Sequence, residues 1–265
     1  MKKRLFITGT IVLVAAALIG ACASGASLSG TSASGRFLSG LSWDAEYDVI
    51  VAGFGFAGAT ASITAADAGA RVLLLEKAPE GSEGGNSRYA GQDILCPVAG
   101  HRDEAIQYYK GMRGEFDNQT DEMIEFMIDG AMANKDWLLK MGLDESTLVN
   151  RPWPEYPDLP GANDLSVMTI HINVTFRSDL YKFIHSLVDS RRDKIDVWYE
   201  SPATRLIQDP NTKIIHGIEL LHEGKTYRVR AKNGVVLAAG GFENNPFMLE
   251  NFVQLADGYS KAARY

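Results

Sequence analysis

Val49-Ile50-Val51-Ala52-Gly53-Phe54-Gly55-Phe56-Ala57-Gly58 is an apolar run that ends in a glycine-rich turn. A stretch of small residues follows, then Val72-Leu73-Leu74-Leu75-Glu76, a second apolar run closed by an acid. The pattern reads as strand, glycine turn, helix and strand, the opening of a parallel α/β unit. Gly53 permits the tight turn, Gly55 leaves room for a pyrophosphate against the backbone, and Gly58 lets the helix pack closely on the sheet. The amides at the helix start, Ala57 among them, meet phosphate charge, and Glu76 can accept hydrogen bonds from a ribose hydroxyl. A glycine turn without a nucleotide is the plain alternative. The register of strand, helix, second strand and terminal acid favours an adenine dinucleotide.

Outward from this turn, the N-terminal end of the 265-residue chain reads as a processing segment. Lys2, Lys3 and Arg4 precede an apolar stretch, and Ile19-Gly20-Ala21-Cys22 is similar to a bacterial lipobox, in which the cysteine carries the lipid. A plain signal anchor, or a secretory signal cut elsewhere, is the alternative. Residues 23–41 are rich in Ser, Gly and Ala without an apolar period, as expected of a flexible tether. Cys96 is the one other cysteine, so neither a disulfide nor a cysteine-based metal cluster is expected. The net charge is −7 and becomes about −10 without Lys2, Lys3 and Arg4, which leaves no basic footprint for nucleic acid.

Between the opening turn and the far end, the coarse reading is α/β with a helical insertion. A first helix is expected over 59–68, with Gly69 ending it, and a short one over 103–111. Thr120 can cap a longer helix ending at Gly142, with Asp121 and Glu122 in its positive first turn. Met123, Ile124, Phe126, Met127, Ala131, Trp137, Leu138 and Met141 form its apolar face, expected to pack in the core. Residues 150–161 hold four prolines around Trp153 and Tyr156, a spacing that points to an extended loop bordering a cleft or making a rigid connection. A helix begins at Ser178 or Asp179 and runs to about 192. Segments 196–208, 214–221 and 225–231 alternate like strands of a small antiparallel sheet, with turns at Asp209-Pro210-Asn211 and His222-Glu223-Gly224. Asn233 to Phe242 is another buried strand entering a glycine turn, and the chain stops soon after, as expected of a truncated product or a fragment.

Taken together, these segments resemble the FAD-binding half of the fumarate reductase/succinate dehydrogenase flavoprotein superfamily. Soluble fumarate reductases, urocanate reductases and 3-ketosteroid dehydrogenases belong to it. Four stretches carry the resemblance, over roughly 46–250. The first is Gly53/Gly55/Gly58 with Glu76-Lys77. The second is Gly84-Gly85-Asn86-Ser87-Arg88-Tyr89-Ala90-Gly91, with Gln92 after it. The third is Pro202-Ala203-Thr204-Arg205-Leu206-Ile207, similar to the strand whose backbone meets the adenine. The fourth is Leu237-Ala238-Ala239-Gly240-Gly241-Phe242-Glu243-Asn244-Asn245.

The physical reading of the second stretch agrees, because Gly84-Gly85 can expose consecutive amides beside the short polar side chains of Asn86 and Ser87. The resemblance thus implies cofactor contacts from Gly85, Asn86, Ser87, Gly91, Gln92, Ala203, Ala239, Gly240 and Gly241. It departs from the family pattern at Ala239, where a threonine is usual. Residues 84–92 contain no histidine where covalent members attach FAD, so the expectation is noncovalent FAD, with His101 incidental.

The implied fold class is α/β, a Rossmann-like FAD-binding domain with a small antiparallel sheet and a partial helical insertion, truncated at the C-terminus. The expected organisation is a lipoprotein-type signal (1–22), a tether (23–45), a first FAD-binding segment (46–98), a helical insertion (99–195) and an incomplete second segment (196–265). The family's substrate-binding arginines and histidine lie beyond the last matched stretch, so no catalytic residue is assigned, and His171, His185, His216 and His222 read as surface or strand histidines. The implied activity is hydride transfer between flavin N5 and a carbon–carbon bond beside a carbonyl or carboxylate, with an envelope electron carrier as partner. Two rivals stay open: a nicotinamide-dependent dehydrogenase, which shares the opening motif, and a truncated FAD-binding remnant without turnover. The lipobox reading has its own test. Cys22→Ser should move the protein from the membrane fraction to the soluble one without changing its fold, whereas retention in the membrane would point to an uncleaved N-terminal helix.

Overall fold

The computed structural model describes residues 33–116, 118–152, 154–164, 166–170, 178–242 and 245–252. Cys22 with the leader segment, residues 23–32 of the tether, Trp153, His171 and Glu243-Asn244 lie outside them. The chain divides into two compact units between Leu41 and Ser42. In the first, Ala33–Ser39 form a short helix, α1, where a tether without periodicity was expected. Its last turn closes with Gly40 N donating to Phe37 O and Leu41 N to Leu38 O.

The second unit is built on one six-stranded mixed sheet in the order β6-β2-β1-β9-β8-β7. Strand β1 (Ala45–Ala52) enters the glycine turn, helix α2 (Phe56–Asp67) crosses over, and β2 (Val72–Leu75) returns parallel to β1. All four residues of β2 are buried, as a central parallel strand covered on both faces requires. Next to β2 lies β6 (Ile195–Trp198), also parallel. On the other side of β1 lies β9 (Lys225–Leu237), again parallel, which turns back through β8 (Ile215–His222) to β7 (Ala203–Gln208).

The two faces of the parallel strands are covered differently. Val51, Val72, Leu74 and Ile195 point to one face, against Ala59, Ile63 and Ala66 of α2 and against Leu180, Ile184 and Val188 of α7 (Asp179–Asp189). Ile50, Ala52, Leu73 and Leu75 point to the other, where Ile218 and Leu220 of β8 and Val229 and Ala231 of β9 cover them. The alternation of side chains along each strand dictates this split. The hairpin β8-β9 closes on Glu223-Gly224, both with positive φ (48° and 75°), a two-residue turn whose twist suits antiparallel strands.

Several expectations change here. The segment 196–208 is two strands, because Pro202 interrupts the ladder; the first joins the parallel strands and the second forms the far antiparallel edge. The antiparallel strands are therefore continuous with the parallel sheet. The strand expected over 225–231 and the one expected from Asn233 into the glycine turn at Phe242 are one strand, β9, ending at Leu237, with an extra residue between Ala231 and Gly234 where its register on β1 shifts. Residues 148–152 form an edge strand, β4 (Leu148–Pro152), at the start of the proline loop. It pairs with β5 (Ser166–Ile170), which in turn pairs with β3 (Asp93–Leu95), a second antiparallel sheet that no periodicity announced.

The insertion also carries α4 (Arg102–Arg113), α5 (Asp121–Met132) and α6 (Asn134–Lys140). The single helix expected from Thr120 to Gly142 is thus two helices, broken at Ala133. Ile124 and Ile128 of α5 pack with Ala105 and Ile106 of α4, whereas Leu138 of α6 packs under α2 and α7, so the two halves serve different cores. Thr120 does cap α5, its hydroxyl accepting from Met123 N at 3.2 Å. The expected apolar face holds only in part: Ile124, Ala131 and Leu138 are buried and Trp137 and Met141 pack against the core, while Met123, Phe126 and Met127 are exposed.

Candidate functional site

The carboxyl ends of β2, β1 and β9 meet at the glycine turn, where the chain leaves β1 for β2 on one side and has β9 on the other. In open α/β sheets such a point forms a ligand crevice. Backbone bonds hold the three ends together: Gly53 N donates to Leu75 O at 2.8 Å, and Ala238 N donates to Ala52 O at 2.9 Å.

The glycines here divide into two kinds. Gly53, with φ +111°, Gly58 and Gly84 are packing positions. A Cβ on Gly53 would overlap the Ala238 carbonyl, one on Gly58 would overlap the Gly53 carbonyl, and one on Gly84 would come within 2.7 Å of the Tyr181 ring. Gly84 thus packs against Tyr181, and the expected pair of exposed amides reduces to Gly85. By contrast, a Cβ on Gly55 would meet only Ser87 Oγ at 3.4 Å and Gly84 O at 3.5 Å, and on Gly85 or Gly240 it would meet nothing within 4 Å. Gly55 thus lies against the second loop at ordinary contact distance, and Gly85 and Gly240 present bare backbone to open space.

Glu76 is buried at the end of β2. Its Oε2 accepts from Phe54 N at 3.0 Å and its Oε1 from Ala78 N at 2.8 Å. Each carboxylate oxygen keeps acceptor capacity for a further donor. Lys77 beside it is exposed, as is Ala57 in the first turn of α2.

The second loop is brought against the first. Gly84 precedes the short helix α3 (Gly85–Tyr89), and Ser87 Oγ accepts from Phe56 N, the first amide of α2, at 2.9 Å. Gln92 organises the loop from behind. Buried, with φ +61°, it donates from Nε2 to Ser87 O (3.0 Å) and Ala90 O (2.8 Å), and its Oε1 accepts from Tyr181 N at 3.1 Å. Asn86 and Gly91 are exposed along the same loop. A cavity of about 160 Å³ opens between Phe56, Ser87, Gln92, Asp93 and Leu180.

Ala239, Gly240 and Gly241 leave the end of β9 exposed on the other side of the Gly53 turn. Ala203 opens the edge strand β7, away from the glycine turn in strand order, yet the connection leading into it returns to Glu76, whose carbonyl accepts from Ser201 N at 2.8 Å.

Residues without a local sequence signal complete the site. Tyr181 of α7 donates from its hydroxyl to Phe54 O at 3.0 Å. Burial, reinforced by Glu83 and Glu76, holds its phenol well above the ordinary range, so it stays a donor. One turn on, His185 stacks on the Phe54 ring (centroids 4.9 Å apart) and lies between buried Glu83 (3.4 Å) and Asp189 (2.9 Å). His222 ends β8, a strand histidine as expected, and bonds Ser201, whereas His185 is half-buried on α7, neither surface nor strand. Burial, then Glu83, pushes Tyr199 up to about 12. His101, outside the second loop as expected, pairs with Asp164 at 2.8 Å.

Comparison with known proteins agrees with this geometry. Residues 48–265 match the family model described as FAD binding domain. A urocanate reductase from Eggerthella lenta is 28% identical over 212 residues, which span 76% of this chain but 32% of that protein. An NADH:fumarate oxidoreductase from Klebsiella pneumoniae is 24% identical over 81% of this chain and 22% of its own. Among solved structures, a 3-ketosteroid-Δ4-(5α)-dehydrogenase from Rhodococcus jostii is similar with a TM-score of 0.65 at 25% identity, over 79% of this chain and 49% of that one. The chain therefore spans half or less of the length of these three proteins.

The division between glycines is testable by stability. Gly84→Ala places a side chain against Tyr181 at a strained φ and should cost about 3 kcal/mol, whereas Gly85→Ala, in open space with φ +48°, should cost about 1 kcal/mol. Urea unfolding measures both, and equal losses would contradict the packing role given to Gly84.

Proposed function

The chain belongs to the FAD-binding-domain family of FAD-dependent oxidoreductases, and from that premise we propose that its crevice holds FAD noncovalently, as the cofactor-holding part of an exported flavoprotein. The observation that carries the reading is the convergence of the ends of β1, β2 and β9 at the Gly53 turn, with the buried Glu76 carboxylate bonded to that turn through Phe54 N and Ser87 bonded to the first amide of α2. The start of α2 and the α3 loop supply amides for the pyrophosphate, and Glu76 accepts from the ribose hydroxyls. Ser87, whose oxygen already accepts from the first amide of α2, has a hydroxyl proton that can be donated alongside them. Gly91, Gln92, Ala239, Gly240 and Gly241 line the path of the cofactor, Lys77 and Ala57 flank it, and Ala203 borders its adenine end. The absence of histidine in 84–92, with His101 tied to Asp164, supports noncovalent attachment.

When bound, FAD supplies hydride transfer at its flavin ring. The names of the similar proteins point to a substrate with a carbon–carbon bond activated by a carbonyl or carboxylate, of the fumarate, urocanate or ketosteroid kind. An electron carrier of the cell envelope is the matching partner, and a lipid on Cys22 would keep the protein beside it.

Titration of the purified apoprotein with FAD tests the proposal. The wild-type chain should bind FAD and show oxidised-flavin absorbance, while NAD(H) at equal concentration should leave that binding unchanged. Glu76→Ala removes a charged acceptor worth about 1.5–3 kcal/mol and should weaken FAD at least tenfold. Gly55→Val should abolish binding, since its side chain occupies the pyrophosphate path. Displacement of FAD by NAD(H), or a fully flavinated Gly55→Val protein, would overturn it.

A further inference from the structure

A serine–histidine pair, the serine buried and the histidine half-buried, stands behind the Glu76 end of the crevice. Ser201 is 1% exposed. Its hydroxyl donates to Tyr199 O at 2.7 Å, and its oxygen lies 2.6 Å from His222 Nδ1. A hydroxyl has one proton, and here it goes to the Tyr199 carbonyl. With that proton so directed, the Ser201 oxygen is free to accept from a proton on His222 Nδ1. The imidazole is fixed in plane as well: it stacks on Trp198 (centroids 4.6 Å apart, 19° between planes) and meets the edge of Tyr227 at 5.8 Å.

What this pair holds is the connection between β6 and β7. That connection makes a reverse bend with Glu200 at φ +50°, a conformation that costs a non-glycine residue energy and persists only where neighbours enforce it. The enforcing bonds run in two directions. Toward the crevice, Glu200 N donates to Ala78 O (3.0 Å) and Ser201 N to Glu76 O (2.8 Å), while Glu76 N donates back to Trp198 O (2.9 Å). Toward the antiparallel hairpin, Leu221 N donates to Pro202 O at 3.1 Å, and His222 bonds the Ser201 side chain. The segment is thus stapled to the backbone on both sides of the Glu76 carboxylate, and the next residue along it is Ala203.

We propose that Ser201 and His222 are positioning residues for the adenosine end of the cofactor: they lock the 199–202 connection, which sets the Glu76 backbone and the start of the strand at Ala203. The proposal rests on the FAD reading above. Both residues act through Glu76 and Ala203 rather than by contact with the cofactor.

The test uses the full chain, FAD, and ADP as a probe of the adenosine end alone. His222→Phe keeps a ring to stack between Trp198 and Tyr227 but removes the Nδ1 donor, and Ser201→Ala removes the acceptor. Each should weaken FAD and ADP by the same factor, roughly three- to tenfold, the yield of one buried hydrogen bond, with the spectrum of bound flavin unchanged. His222→Asn restores a donor near the Nδ1 position and should recover most of the affinity. If Ser201→Ala fails to fold, the two His222 variants carry the test. Wild-type affinity for both ligands in His222→Phe, or a loss for FAD that ADP does not share, would overturn the proposal. A wild-type chain that binds neither FAD nor ADP would overturn the dinucleotide reading itself, a different result from unchanged variants of a binding-competent protein.

Discussion

The approach of the Gly53 backbone to the Ala238 carbonyl is the constraint on which the site depends. Main chain meets main chain where β1 and β9 end, and a side chain at Gly53 would force them apart. Gly58 then packs on the Gly53 carbonyl, so helix α2 is drawn down onto the turn it follows. Glu76 adds the remaining strand end by accepting from Phe54 N. The cradle is therefore made of backbone and one buried carboxylate. Such an arrangement suits a ligand that presents phosphate oxygens to amides and hydroxyls to an acid. It also leaves little freedom for rearrangement at Gly53 and Gly58, which neighbouring main chain holds in place.

The insertion between β2 and β6 contributes more than a lid of helices. Its last helix, α7, returns beneath the site and holds both glycine loops at once. Tyr181 reaches the Phe54 carbonyl, fills the space beside Gly84 and bonds Gln92 through its own amide. His185 covers Phe54 and pairs with Glu83, the residue before Gly84. The loops at 53–58 and 84–92 are thus joined twice: directly, through Ser87 and the first amide of α2, and from below, through one face of α7.

Sequence alone made the parallel unit and the candidate cradle legible because glycine and a terminal acid have narrow reasons to stand where they do. Gly53, Gly58 and Glu76 take the places their spacing announced, and Thr120 caps its helix. The remainder was hidden for physical reasons. Tyr181 and His185 read as ordinary members of an amphipathic helix, since their partners lie about a hundred residues away in the chain. The pairing of Asp93–Leu95 with Ser166–Ile170 is likewise nonlocal and leaves no period in either segment. Gly84 and Gly85 look alike in sequence, and only the Tyr181 ring separates their roles. Met123, Phe126 and Met127 satisfied a helical period but face outward, because Ile124 and Ile128 already occupy the buried side of α5.

Amide hydrogen exchange, compared with and without FAD, tests the central claim most directly, because the cradle is built from backbone. FAD in the crevice should slow exchange together in 53–58, 76–78, 84–92 and 238–241, four segments distant in sequence and joined only by the convergence of the strand ends. Slowing confined to other segments, or to one of these four alone, would contradict a single dinucleotide site at the ends of β1, β2 and β9.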